Sequence, residues 1–114
     1  MPIKKIITVP DQALRKISSP LEKVGLDERK LIDDLFETMY EANGIGLAAI
    51  QVAVPKRIIV IDVSGKNDDK KPMCFINPVI KKKSDVFSCH EEGCLSIPNT
   101  FVEIDRPSFC VVEY

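Results

Sequence analysis

The stretch Asp27-Glu-Arg-Lys-Leu-Ile-Asp-Asp-Leu-Phe-Glu-Thr-Met-Tyr-Glu-Ala-Asn-Gly44 decides the reading of the fold. Within it Leu31, Ile32, Leu35, Phe36, Met39 and Tyr40 recur at i, i+1, i+4, i+5, i+8 and i+9. That spacing lays them along one stripe of an α-helix, with acidic and basic side chains on the other face. Asp27 reads as the N-cap, Glu28 suits the positive end of the helix dipole, and Asn43-Gly44 supplies the stop. Such a helix packs in a core, and its aromatic positions need no functional explanation.

Outward from the helix the pattern changes. The first twenty-five residues are irregular, broken by Pro2, Pro10, Pro20 and Gly25. They admit a short strand over residues 3–8 and a helical turn using Ala13, Leu14 and Ile17. After the helix, residues 57–63 are rich in β-branched side chains and end at Ser64-Gly65, as a strand would. Residues 64–72 form a polar, highly charged loop. A second strand is expected over residues 73–80, with Pro78 marking an edge or a bend. The three lysines Lys81, Lys82 and Lys83 read as a solvated turn. Further strands are expected over residues 85–91, 100–105 and 109–114. One helix followed by several short strands implies an α+β fold, a core helix packed on antiparallel sheets. Residues 1–114 contain no internal repeat, low-complexity run or domain boundary, and are expected to belong to one domain.

Composition narrows the function classes. Sixteen basic and seventeen acidic side chains leave a net charge of −1, so no broad basic field exists to hold a polyanion. The longest apolar runs are a few residues, far short of the roughly 20 a spanning helix needs. The first residues lack a long apolar run and a small-residue cleavage site, so a cytoplasmic location is expected. The four cysteines, Cys74, Cys89, Cys94 and Cys110, are spaced 15, 5 and 16 apart with no C-x-x-C pair. This spacing disfavours a structural zinc site. The even count invites a disulfide reading that nothing else in the sequence supports, since no feature suggests export. Most of them are expected to be small buried hydrophobes in the reduced state. His90, the one histidine, sits in a strand-like run and reads as an ordinary polar residue.

Two short stretches are not explained by periodicity. In Gly44-Ile45-Gly46-Leu47-Ala48-Ala49-Ile50-Gln51 the glycines allow close backbone approach and the alanines keep the wall thin. Gln51 closes that apolar run with an amide, which must pair with backbone or await a ligand. Read alone, the same run is also a helix stop followed by a strand. In Glu91-Glu92-Gly93-Cys94-Leu95-Ser96-Ile97-Pro98 a thiol stands beside two acids and before a tight bend. Those carboxylates would raise its pKa, which disfavours a thiolate nucleophile, whereas a metal would deprotonate it regardless.

Together, Gly44-Ile-Gly-Leu-Ala-Ala-x-Gln51 and Glu92-Gly-Cys-Leu-Ser96 resemble the first two of three signature motifs of the peptide deformylases. Val9-Pro10-Asp11-x-x-Leu14-Arg15, Asn77-Pro78 and Arg106-Pro107 also resemble that family, so the likeness runs end to end. Ile50 replaces a proline that is more usual there. The resemblance implies metal-dependent hydrolytic removal of the formyl group from an N-terminal formyl-methionine. It implies Cys94 as one of three protein ligands to a divalent metal, natively Fe2+, which Zn2+, Ni2+ or Co2+ can replace. Gln51 and the backbone N–H of Leu95 are then oxyanion donors. Gly44, Ile45 and Gly46 are substrate-binding, with the peptide pairing along Gly46. Glu92 and Arg106 resemble the family's buried acid–base pair that braces the cysteine loop, although a surface pair is the plainer account.

The third family motif, His-Glu-x-x-His on a helix, is absent. Twenty residues follow Cys94, and none is histidine. The resemblance therefore implies a truncated deformylase-like chain that lacks two metal ligands and the general base, and that is inactive alone. Its expected partners are N-formylmethionyl peptides, with self-association through an exposed sheet edge. No contact with nucleic acid or membrane is expected. The alternatives are an active deformylase completed by another chain or segment, and a non-catalytic module that binds N-terminal methionine peptides.

Overall fold

The computed structural model describes residues 3–65 and 67–114; Met1, Pro2 (read above as a break) and Lys66 in the polar loop lie outside the described residues. Helix α1 spans Leu26–Glu41. Its N-cap is Gly25 rather than Asp27, because the Glu28 carboxylate reaches back to accept the Gly25 N–H at 2.9 Å. That single bond satisfies a donor the helix leaves orphaned, and it holds the Glu28 carboxyl below its usual pKa. At the other end Asn43 takes a left-handed φ of 57°. The Gly44 N–H then donates to the Met39 carbonyl at 2.9 Å and the Asn43 N–H to the Tyr40 carbonyl at 3.0 Å, a Schellman stop.

The helix packs on a three-stranded antiparallel sheet, β1 (Gly46–Ala48), β2 (Ile58–Ile61) and β3 (Met73–Ile76), in the order β1-β2-β3. Leu31, Leu35 and Met39 from the helix meet Leu47, Ile58 and Val60 from the sheet, and Ala49 and Val52 complete this core. Alternation along β2, where Ile58 and Val60 are buried and Ile59 and Ile61 are half-buried, places the packed face toward the helix.

The rest of the chain forms two ribbons. Strand β4 (Val79–Lys83) pairs with β7 (Cys110–Glu113), and β5 (Phe87–Cys94) pairs with β6 (Ile97–Pro107). The α+β arrangement of one core helix and antiparallel sheets holds.

Several local expectations are corrected. The run over residues 73–80 is two strands: Asn77 turns to φ 53°, and its side chain clamps Leu21 with two 2.8 Å bonds, one accepted and one donated. The three lysines are part of β4, not a turn, because Lys82 and Lys83 pair with Val111 and Cys110. Residues 3–8 form no strand; they run along the core and bond to turns. The helical turn is a 3-10 turn over Gln12–Arg15, and Ile17 projects into solvent beyond it. Only Cys74 is even half-buried; Cys89, Cys94 and Cys110 are exposed, and all four thiols are free.

Candidate functional site

The site begins where α1 stops. The left-handed turn at Asn43 delivers Gly44 against the β5–β6 hairpin, and a Cβ there would stand 2.7 Å from Leu95 Cδ1. A side chain at 44 would force Leu95 to shift. At Gly46 an added Cβ would sit at an ordinary 3.7 Å from the Val60 carbonyl, so the fold itself leaves room. Gly46 pairs with Ile61 on one side, and β1 is the edge strand of its sheet.

From β1 the chain enters a 3-10 turn over Ala49–Val52, which ends on Ala53 at φ 66°. This turn orients Gln51. Its Oε1 accepts the Ala48 N–H at 3.0 Å, which fixes the amide and aims Nε2 outward. Nε2 donates to Ser96 Oγ at 3.1 Å and lies 3.7 Å from Cys94 Sγ, within reach of a sulfur acceptor. The expected pairing with backbone is met through Oε1, while Nε2 turns to the side chains of Ser96 and Cys94.

Cys94 ends β5, and Leu95-Ser96 form the tight turn into β6. The register slips just there: Gly93 faces Phe101 while Cys94 faces Ile97, so β6 bulges over residues 98–100 with Asn99 at φ 61°. A bulge of this kind re-aims the side chains beside it. The Leu95 side chain packs on the core beneath, and the Ser96 hydroxyl is buried. Ser96, given no role on sequence grounds, is the partner that holds the Gln51 amide. Its place beside Leu95 in the motif was the available signal.

A cleft of about 860 Å³ opens over these residues, bordered by Ile45, Gly46, Gln51, His90, Cys94 and Leu95. Ile45 stands largely exposed on its rim. His90 shares a face of β5 with Cys94, but four residues of strand separate them by about 13 Å. Among the described residues no three His, Cys, Asp or Glu side chains converge as a metal site. Cys94 brings a suitable thiol, yet it stands without the second and third ligand. These residues alone do not fit a catalytic metal.

Glu92 and Arg106 do meet, through two bonds of 2.5 Å and 2.8 Å across the hairpin. The pair is not buried: the side chains are 33% and 61% exposed. The Arg106 guanidinium lowers the Glu92 carboxyl pKa, and Glu92 raises that of Arg106. Behind the cleft Asp62 accepts from Tyr40 Oη at 2.5 Å, from Ser64 N–H and Oγ at 2.9 and 2.6 Å, and from Lys71 N–H at 3.1 Å. The Ser64 and Tyr40 bonds hold the Asp62 carboxyl at about 2, and burial with the Asp62 partner pushes Tyr40 up to about 12. Tyr40 thus pins a loop to the helix, a task its helical spacing did not reveal.

Comparison with known proteins agrees with this geometry. The family model described as Polypeptide deformylase matches residues 3–114. The peptide deformylase of Pelagibacter ubique is 59% identical over all 114 residues, and that of Rhizobium meliloti is 51% identical. In both cases the chain spans 66% of the relative's length. Among solved structures, peptide deformylase from Ehrlichia chaffeensis in complex with actinonin superposes with a TM-score of 0.93 at 44% identity. It covers this whole chain and 69% of its own. The Thermotoga maritima enzyme gives 0.90 at 39% identity, over 98% of this chain and 73% of its own. No helix among the described residues is long and apolar enough to cross a membrane. With the motif residues gathered at one cleft and the match running through the fold, the chain belongs to the peptide deformylase family.

Proposed function

We propose that the cleft receives the formylated amino terminus of a nascent peptide. The peptide lies extended along Gly46, its first side chain rests against Ile45, and Gln51 Nε2 and the Leu95 N–H polarise the formyl carbonyl. One observation carries this reading: Gln51 and Cys94, 43 residues apart, meet at 3.7 Å over a turn held by Ser96. Neutral N–H donors fixed before a ligand arrives are what a developing oxyanion needs. The edge of β1 at Gly46 suits strand addition by a peptide backbone. Nascent chains as substrate place this work in the cytoplasm.

The family is metal-dependent, with Fe2+ the native ion by resemblance. Among the described residues Cys94 is a single thiol where three ligands are required. We infer that this stretch binds the peptide and does not release formate by itself. Calorimetric titration with formyl-Met-Ala-Ser tests the reading. Measurable heat that Gln51→Leu abolishes supports it, and no heat from the unaltered chain overturns it. Formate release at stoichiometric Fe2+ or Ni2+ would refute the claim of inactivity.

A second reading has a His-Glu-x-x-His segment outside these residues completing the site. It is favoured by the hairpin beside Cys94, where Val102 stays 53% exposed next to the Glu92–Arg106 pair. Restored turnover on adding such a segment separates the two readings.

A further inference from the structure

The Gln51 turn and the Cys94–Ser96 turn belong to different parts of the fold. Among the described residues no backbone hydrogen bond runs directly between the β5–β6 hairpin and the unit made by α1 and β1–β3. The segment before the first 3-10 turn supplies the connection. Its Ile7 N–H donates to the Gln51 carbonyl at 2.8 Å, and two residues later the Val9 N–H donates to the Ser96 carbonyl at 2.9 Å. Alternation makes this geometry natural, since N–H groups two residues apart on extended chain point the same way. The segment is itself anchored: Ile6 packs on the core, the Lys4 N–H donates to Thr38 Oγ1 at 2.9 Å, and Lys4 Nζ lies 4.0 Å from Asp34.

We infer that residues 7–9 form a strap that sets the spacing between the Gln51 amide and the Cys94–Ser96 turn, with Ile7 and Val9 as positioning residues that act through their backbone N–H groups. The direct contact between Gln51 Nε2 and Ser96 Oγ is a single 3.1 Å bond between side chains. The strap holds the same two residues by their main-chain carbonyls, so the donor groups are spaced before any ligand enters. This explains a segment that reads as a strand by composition yet joins no sheet: its bonding partners are two separate turns, at Gln51 and at Ser96. The inference deepens the peptide-binding reading and rests on it only for its effect on affinity.

Amide-to-ester replacement at Val9 removes the one N–H and leaves the side chain in place. Two readouts apply: the Gln51 side-chain amide resonances, and the Kd for formyl-Met-Ala-Ser. The expected result is a roughly five- to tenfold weaker Kd, the scale of one lost hydrogen bond. The Gln51 side-chain resonances should move toward free-glutamine values while α1 and β2 amides stay in place. Ile17→Ala, at a side chain that projects into solvent outside the strap, should leave both readouts unchanged. An ester at Lys4 should lower Tm without moving Gln51, which separates positioning from mere stabilisation. If the Val9 ester does not fold, the ester at Ile7 is read in the same way. An unchanged Gln51 resonance in the folded ester overturns the strap. Absence of peptide binding in the unaltered chain overturns the functional reading instead, and the resonance still judges the strap.

Discussion

Two of the three glycines in the signature motifs, Gly44 and Gly93, make the same close approach in two different settings. A Cβ at Gly44 would meet Leu95 Cδ1 at 2.7 Å, and a Cβ at Gly93 would meet the Phe101 ring at 2.7 Å. Leu95 is packed on the core that α1 and β1–β3 build, whereas Phe101 is 66% exposed on the outer hairpin. All the buried apolar residues among those described lie in residues 31–60. In the second half Val79, Ile80, Phe87, Phe101, Val102, Phe109 and Val111 are exposed. One half is organised by packing and the other by backbone register, so equal distances should have unequal consequences.

The strongest break in that contrast is Leu35→Ala. Leu35 is fully buried, and its loss should cost about 2–5 kcal/mol in urea denaturation. Phe87→Ala on the outer ribbon should stay within about 0.5 kcal/mol. Equal losses would mean that the ribbons carry a core of their own. Acid should act next, through Asp62. Its folded pKa of about 2 lies below the ordinary 3.8, so it stabilises the fold above pH 3.8 and that contribution fades as pH falls toward 2. Hydrogen exchange should then rise first at Ser64 and Lys71, before the α1 amides open; Asp62→Asn should abolish the acid step.

The glycine pair gives a finer cut. Gly44→Ala should cost about 1–2 kcal/mol and be largely relieved by Leu95→Ala, a coupling that a double-mutant cycle measures. Gly93→Ala should cost less than about 1 kcal/mol, because the exposed Phe101 ring can swing away. A reversed order would show that the hairpin is the stiffer partner. Smallest of all is Arg106→Met. The exposed pair with Glu92 should give a stability change below those above, and it should shrink further in about 1 M salt.

What the sequence could tell follows the same division. Core periodicity placed α1 within a residue or two, since Leu31, Leu35 and Met39 answer to the interior that they fill. The motifs single out Gln51 and Cys94, and the fold sets these two side chains 3.7 Å apart. Errors arose where a distant side chain overrides local propensity. Asn77 splits one apolar run into two strands through its bonds to Leu21, 56 residues away in the chain. Lys81, Lys82 and Lys83 look solvated and are, yet Lys82 and Lys83 take strand pairing from β7, which no local pattern records. Cys89 and Cys110 were expected inside because cysteine usually packs there, but their strands lie on ribbons without a covered face. The cap at Gly25 escaped notice because the capping group belongs to Glu28.

One consequence concerns the charged loop after β2. Its two ends, Ser64 and Lys71, bond to the same carboxylate, and Lys70 lies 4.2 Å above the Tyr40 ring. A segment whose ends are clasped together can be lengthened at little entropic cost, because closure depends only weakly on loop length. Guest residues spliced between Asp68 and Asp69 should therefore leave the helix, the sheet and the cleft undisturbed. The clasp makes this loop a mounting point for a fluorophore or an affinity tag, from which peptide capture can be followed without touching the groups that perform it.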